Sequence, residues 1–188
     1  MLPKEIKNYR NLIILKDGAK VLLRALTADD EKELIDLFVR ASSRDIRFIR
    51  DDVKNPEVIK EWCQDVDYKI VLPLIAITQN TVVGVASLHY RRGPERHIGE
   101  VRIYLAREYR RRGLGTRMLQ TLIELARRQG LYFLEAEVVA SQIKVVKAFQ
   151  NLDFKLCCTF EDYFMLPDGE TQDVIRLILN LKPIGDEF

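Results

Sequence analysis

A strand, a polar turn and a long amphipathic helix follow one another in the second half of the chain, and this succession limits the folds open to it. Residues 100–105 read Glu-Val-Arg-Ile-Tyr-Leu, a pattern typical of a strand. Apolar residues then recur about one turn apart over residues 114–126, and Gly130 marks the expected helix end. A strand that leads into so long a helix favours a fold in which helices pack on a sheet.

The turn between them is rich in arginine and glycine, and it reads Arg-Arg-Arg-Gly-Leu-Gly-Thr over residues 110–116. The first N–H groups of a helix lack intrahelical acceptors and carry partial positive charge, so they attract anions. Gly113 and Gly115 have no Cβ to keep a ligand away from these groups, and the Thr116 hydroxyl adds a donor. The pattern predicts a phosphate-binding loop, and the alternative interpretation is a solvated basic turn.

Two common phosphate-binding motifs do not fit this turn. A Walker A loop requires a Gly-Lys-Ser or Gly-Lys-Thr ending, and here Gly115 is followed by Thr116. The dinucleotide fingerprint requires a third glycine, which is absent from the segment. Kinase and dehydrogenase functions are therefore disfavoured.

Composition predicts one globular domain over residues 1–188. Apolar residues make up 47% and charged residues 31%, and no apolar run is long enough to span a bilayer. We therefore expect a cytoplasmic protein without a membrane association. The formal net charge is only +2, which disfavours nucleic acid as a partner, although arginine clusters keep that alternative open. The cysteines, Cys63, Cys157 and Cys158, lack zinc or redox spacing and are expected to be reduced packing residues.

Alternation and one-turn spacing predict the element order ββααβββαβαββ, a mixed α/β sandwich. Thr27 and Asp30 form a capping-box pattern before the first helix, and Asn55-Pro56 begins the second. The predicted strands cover residues 12–15, 21–26, 70–78, 81–90, 100–105, 131–139, 155–165 and 172–181. Adjacent Cys157 and Cys158 are expected to point to opposite faces of their strand.

Residues 100–116 resemble the acyl-CoA pyrophosphate loop of the GNAT superfamily of N-acyltransferases, and the likeness extends from about residue 20 to residue 181. The resemblance implies a mixed, mostly antiparallel sheet with helices on both faces. It also implies one splayed parallel strand pair, formed here by residues 100–105 and 132–139.

The resemblance further implies that acetyl-CoA is the co-substrate, without a metal. The backbone N–H groups of residues 111–116 would bind the pyrophosphate, and residues 103–105 would lie along the pantetheine arm. The positions expected to contact acetyl-CoA are Ile103, Tyr104, Leu105, Arg110, Arg111, Arg112, Gly113, Leu114, Gly115, Thr116 and Gln142.

Within the superfamily, the sequence is most similar to the catalytic domain of bacterial and archaeal protein lysine acetyltransferases. Short matches at residues 22–30, 43–48, 66–68, 83–86 and 100–101 carry this likeness. It implies a protein lysine as acceptor. A small-molecule amine and a non-catalytic acyl-CoA sensor are the alternatives, and the chain is expected to be a monomer or a homodimer.

Two residues are expected to perform the chemistry. Glu100 matches the general-base glutamate of those lysine acetyltransferases, and its alternative role is a strand-end ion pair with Arg102. The Leu105 N–H is the candidate donor to the oxyanion that forms on the thioester. Phe149 stands where many relatives have a tyrosine that protonates the departing CoA thiolate, so no general acid is assigned.

Glu135 and Glu137 lie two residues apart on a predicted strand and therefore share one face. Glu137 is a reserve candidate for the base. A solvated face is the more conservative interpretation of the pair.

Overall fold

The computed structural model describes residues 6–182. Eight strands and five α-helices lie wholly within that part of the chain. They are β1 (Arg10–Ile14), β2 (Lys20–Ala25), α1 (Glu31–Val39), α2 (Ser43–Ile46), α3 (Pro56–Gln64), β3 (Val71–Thr78), β4 (Thr81–Tyr90), β5 (Ile98–Leu105), α4 (Leu114–Arg128), β6 (Phe133–Val139), α5 (Ile143–Gln150), β7 (Lys155–Met165) and β8 (Thr171–Asn180).

The predicted element order is confirmed with one addition, the four-residue helix α2. Such a helix is too short for an apolar stripe to repeat, so periodicity does not reveal it. Its start is fixed by Ser42, whose hydroxyl accepts a hydrogen bond from the Asp45 N–H at 3.2 Å. The predicted class is also confirmed: the sheet is mostly antiparallel, with β5 and β6 as a parallel pair.

The described part of the chain forms two compact units, and the first comprises its residues up to Ser87 together with Ile103–Leu119. Its strands follow in the order β1-β2-β3-β4, with β1, β2 and β3 paired antiparallel. The apolar stripe of α1 is buried against α3 and the sheet, and the Phe38 ring lies edge-on to Trp62 at 6.1 Å. This core forms because the apolar stripes predicted for α1 and α3 are buried in the same cluster.

The second unit comprises Leu88–Arg102 and the described residues from Gln120 onward, with strands in the order β5-β6-β8-β7. The parallel register of β5 and β6 covers three pairs, from Ile98 with Phe133 to Glu100 with Glu135. Gly99 is packed closely, since a Cβ there would lie 2.5 Å from Leu88 Cδ1. A side chain at this position would therefore displace the core.

The pairing of β7 with β8 is interrupted by a bulge. Leu156 lies opposite Leu177, whereas Cys158 lies opposite Arg176, so two consecutive residues of β7 face one residue of β8. A bulge breaks the alternation of side chains and re-aims them. The expectation that Cys157 and Cys158 point to opposite faces is therefore wrong, because it assumed an unbroken strand.

Asp30 forms a buried ion pair at the start of α1. Arg24 Nη1 donates to its Oδ2 at 2.6 Å, and the Thr27 N–H and hydroxyl donate to the same oxygen at 2.8 and 2.9 Å. The predicted capping box is thus present. Burial alone would raise the pKa of Asp30, but the hydrogen bonds from Arg24 and Thr27 outweigh it and hold the pKa below its usual value.

Replacing Asp30 with Asn is expected to lower the free energy of unfolding by about 3 kcal/mol at neutral pH, because Arg24 loses its buried partner. Since folding lowers the pKa of Asp30, this stabilisation is present above the unfolded-state pKa and is lost as the pH falls through the folded-state pKa. Urea denaturation over a pH series measures both effects. Asp29→Asn, at the exposed neighbouring position, is the matched control; an equal loss in both variants would contradict this assignment.

Candidate functional site

The segment after β5 folds into a tight loop that leads directly into α4. A 3-10 turn spans Arg107–Tyr109, and Arg110 is extended. Arg111 and Gly113 then adopt the left-handed region, with φ of 62° and 87°. A residue with a Cβ is disfavoured in this region, so Gly113 is the residue that lets the chain turn at low cost.

The loop leaves its backbone donors unpaired. The Arg117 N–H donates to the Gly113 carbonyl at 3.1 Å and opens the helical hydrogen-bond ladder. Among residues 6–182, none provides an acceptor for the N–H groups of residues 111–116. Thr116 and Arg117 are exposed, so the loop is open to a ligand. Six amides without an acceptor at the positive end of a 15-residue helix are an arrangement suited to an anion.

The loop also lies directly against the end of β5. A Cβ at Gly115 would lie 3.2 Å from Leu105 Cδ1 and 3.7 Å from Ile103 Cδ1. Gly84 of β4 lies still closer to Leu105, because a Cβ there would be 2.6 Å from its Cδ2 and 3.3 Å from the Tyr104 carbonyl oxygen. The structure therefore brings together the predicted loop and the predicted strand residues 103–105.

Two of the loop arginines are held by aspartates from elsewhere in the chain. Arg110 Nη1 lies 2.5 Å from Asp45 Oδ1, and Arg110 Nε donates to the Leu105 carbonyl at 3.0 Å. Arg112 Nε lies 2.5 Å from Asp17 Oδ2. Arg111 and Arg117, by contrast, are exposed. The loop is thus fixed on two sides, and the amides and the exposed arginines are the groups best placed for an incoming anion.

Hydrogen bonds lower the pKa of both aspartates. Hydrogen bonds from Ser42 and then Arg110 hold the pKa of Asp45 below its usual value. The hydrogen bond from Arg112 does the same for the pKa of Asp17. Sequence reasoning missed both residues, because they lie 65 and 95 positions from their arginines. No local signal links such distant residues.

Glu100 lies in β5, with its side chain 16% exposed. Arg102 Nε and Nη2 donate to its two carboxylate oxygens at 2.9 and 3.2 Å. The ion pair considered from the sequence therefore forms. A carboxylate in this setting is partly desolvated, so its attraction to the Arg102 guanidinium is stronger than it would be in open water.

Glu135 and Glu137 do not form a solvated face, so that interpretation is wrong. Their side chains are 10% and 9% exposed, and each is paired with an arginine. Arg91 lies 2.5 Å from Glu135, and Arg176 lies 2.6 Å from Glu137. The sequence pattern shows only that the two carboxylates share a face, and the neighbouring strands decide whether that face is covered.

The remaining candidates lie near α5. Gln142 caps this helix through its carbonyl, which accepts from the Val145 N–H at 2.8 Å. Phe149 is buried and packs edge-on against Phe154 at 5.1 Å, so it serves the core of the second unit.

Within residues 6–182, no group of three or more His, Cys, Asp or Glu side chains is arranged to hold a metal ion. None of the helices described there is long and apolar enough to cross a membrane.

Comparison with known proteins identifies the fold to which this loop belongs. The family model described as the Acetyltransferase (GNAT) family matches residues 29–154, more than half of the 188 residues. The chain belongs to the GNAT acetyltransferase family. The sequence-based resemblance to GNAT proteins is thereby confirmed, and the matched range includes β5, the loop and α4.

Solved structures agree on the GNAT fold. The GNAT domain of S. lividans PAT superposes with a TM-score of 0.78 at 19% identity, covering 96% of this chain and 99% of that one. Ribosomal-protein-alanine N-acetyltransferase from Brucella melitensis gives 0.75 at 23% identity, covering 84% and 98%. The yncA structure from Salmonella typhimurium, solved with its cofactor acetyl-CoA, gives 0.75 at 18% identity, covering 88% and 96%. At these identities the likeness concerns the fold.

Proposed function

We propose that this GNAT protein transfers the acetyl group of acetyl-CoA to an amine, and that the amine is a lysine side chain of a protein. The observation that carries the proposal is the loop of residues 111–116, whose amides have no acceptor among residues 6–182. A diphosphate supplies the negative oxygens that such a loop lacks. The acetyl-CoA in the yncA structure supports this ligand, because that protein shares the fold.

The proposed division of labour follows from the positions of the residues. The amides of residues 111–116 bind the pyrophosphate, and Arg111 and Arg117 are exposed to meet its charge. Arg110 and Arg112 hold the loop in shape through Asp45 and Asp17. Residues 103–105, which lie against the loop, line the path of the pantetheine arm.

The proposed chemistry is direct attack on the thioester. A lysine amine has a pKa of about 10.4 and is protonated at neutral pH, so a base must first remove a proton. Glu100 is the proposed base, acting directly or through one water. The amine nitrogen then bonds to the carbonyl carbon, the Leu105 N–H stabilises the oxyanion, and the carbon–sulfur bond breaks. CoA leaves as a thiolate and takes a proton from solvent, because Phe149 has none to donate. The nitrogen of the new amide releases its surplus proton to solvent.

An acetylation assay with three classes of acceptor tests the lysine assignment. The name of the Brucella melitensis neighbour refers to a ribosomal-protein alanine, which makes protein N-terminal amines the competing class. Purified protein should be incubated with acetyl-CoA and three sets of acceptors: folded proteins including acyl-CoA synthetases, peptides with free N-termini, and small amines. Mass spectrometry then identifies the acetylated nitrogen.

Lysine-acetylated protein that forms only with active enzyme is the expected result. Acetylation confined to N-termini or to small amines would overturn the lysine assignment while keeping the transferase. Tight CoA binding without turnover on any acceptor would replace the transferase with an acyl-CoA sensor. Absence of CoA binding would overturn the proposal altogether.

Replacing Asp45 with Asn tests the anchoring of the loop. Arg110 would lose its charged partner, and the loop would be less well ordered for the pyrophosphate. Because the pair is partly exposed, we expect a modest effect, a rise of about threefold to tenfold in KM for acetyl-CoA with kcat less changed. Steady-state kinetics measures it. Asp51→Asn, an exposed aspartate nearby, is the matched control and should leave KM unchanged; a pure kcat effect in Asp45→Asn would contradict the anchoring role.

A further inference from the structure

The bulge in β7 brings two cysteines together at the surface of the second unit. Cys157 and Cys158 both lie opposite Arg176, because the register advances by one residue on β8 and by two on β7. Cys157 is exposed, Cys158 is half-buried, and both are free thiols. A regular strand would separate neighbouring side chains across the sheet, whereas the bulge gives them a common side.

The two thiols are near neighbours. Burial raises the pKa of Cys158, and the adjacent Cys157 side chain raises it further. The bulge therefore presents the two free thiols as a neighbouring pair on the β7–β8 hairpin.

Arg176 supplies a donor beside this dithiol. Its Nη2 binds Glu137 at 2.6 Å, and its guanidinium lies 4.9 Å from the centre of the Phe160 ring, so the side chain is held in place. Its Nε is buried and has no hydrogen-bond partner within the described part of the chain. Buried donors without acceptors are rare in folded proteins. A donor held opposite Cys158 is suited to stabilise a thiolate there.

We propose that Cys157 and Cys158 form a dithiol site that binds trivalent arsenicals through both sulfurs. Thiolates are soft ligands and select soft, thiophilic centres. Within residues 6–182 no third His, Cys, Asp or Glu completes a metal-binding group, so a ligand that needs only two thiols fits best. The site belongs to β7 and is independent of the proposed acetyl transfer.

The reaction with phenylarsine oxide balances without an oxidant or a reductant. Two arsenic–sulfur bonds form, and the arsenic–oxygen bond breaks. The oxygen leaves as water with the two thiol protons, and arsenic stays trivalent with its phenyl group. The two sulfurs hold arsenic as a chelate. A monothiol competitor such as glutathione binds through one sulfur and therefore displaces the chelate poorly.

Intact-mass spectrometry of the full chain after treatment with phenylarsine oxide tests the site. We expect one phenylarsenic adduct per chain, retained in excess glutathione and removed by dithiothreitol. Cys157→Ser and Cys158→Ser should each lose the glutathione-resistant adduct. Cys63→Ser should keep it, because Cys63 is buried in the first unit and burial raises its pKa to about 11.

Circular dichroism of each variant separates loss of the site from loss of the fold. A glutathione-resistant adduct that persists in either Cys157→Ser or Cys158→Ser would overturn the proposal. So would an adduct on the wild-type chain that glutathione removes, since it would show attachment through one sulfur.

Discussion

Replacing Gly115 with glutamate is expected to lower kcat/KM for acetyl-CoA by at least about 100-fold. The new carboxylate would stand among the free amides of residues 111–116, where it would compete with the pyrophosphate and repel it. Placing like charges together costs several kcal/mol, and each 1.4 kcal/mol is about tenfold in affinity. The new Cβ would also approach Leu105 Cδ1 to 3.2 Å, so the neighbouring side chain would have to shift.

The same substitution should leave the protein folded, because a carboxylate at a helix N-terminus is favourable to the helix. Calorimetric titration with acetyl-CoA, steady-state kinetics and a thermal melt give the three quantities needed. Gln120→Glu places the same charge at an exposed position of α4 and is the matched control, with near-normal binding expected. Normal acetyl-CoA binding by a folded Gly115→Glu variant would exclude the loop as the pyrophosphate site.

Replacing Glu100 with glutamine is expected to lower kcat by about 10²–10⁴-fold, the contribution typical of a general base. Glutamine keeps the size of the side chain and still accepts a hydrogen bond from Arg102, but it cannot take a proton. KM for acetyl-CoA should change little, because the proposed phosphate contacts belong to another segment. The acidic limb of the pH profile of kcat/KM should disappear with the base.

Two further variants decide whether the effect is specific to Glu100. Glu108→Gln removes an exposed carboxylate that precedes the loop and should leave kcat unchanged. Glu137→Gln tests the reserve base, and its main expected effect is lower stability, because Arg176 would lose its partner. Full activity in Glu100→Gln together with a loss in a folded Glu137→Gln would transfer the role to Glu137.

Local sequence patterns predict much of this fold, because helix spacing and glycine turns depend on residues that are close together in the chain. The one-turn spacing of Leu114, Met118 and Leu122 predicts α4, and all three side chains are fully buried. Gly130, with φ of 75°, lies just beyond the end of that helix, as expected for a C-terminal glycine. The glycines of the loop are equally local signals, since a left-handed residue and a close backbone approach both require a missing side chain.

What the sequence did not predict depends on distant partners. The aspartates that hold Arg110 and Arg112 come from α2 and from the segment between β1 and β2. The burial of Glu135 and Glu137 is set by arginines 44 and 39 positions away. The bulge at Cys157 is a property of the pairing of β7 with β8, so no spacing within β7 alone reveals it.

The two anchors of the loop also bear on how the protein becomes able to bind its ligand. The glycines and the helix start are encoded within a few residues, but the partners of Arg110 and Arg112 lie 65 and 95 positions earlier. Contacts across such separations cost conformational entropy, because a long stretch of chain must be closed to form them. A fragment without the first 50 residues would thus keep the whole loop motif but lack both aspartates that hold the loop in place.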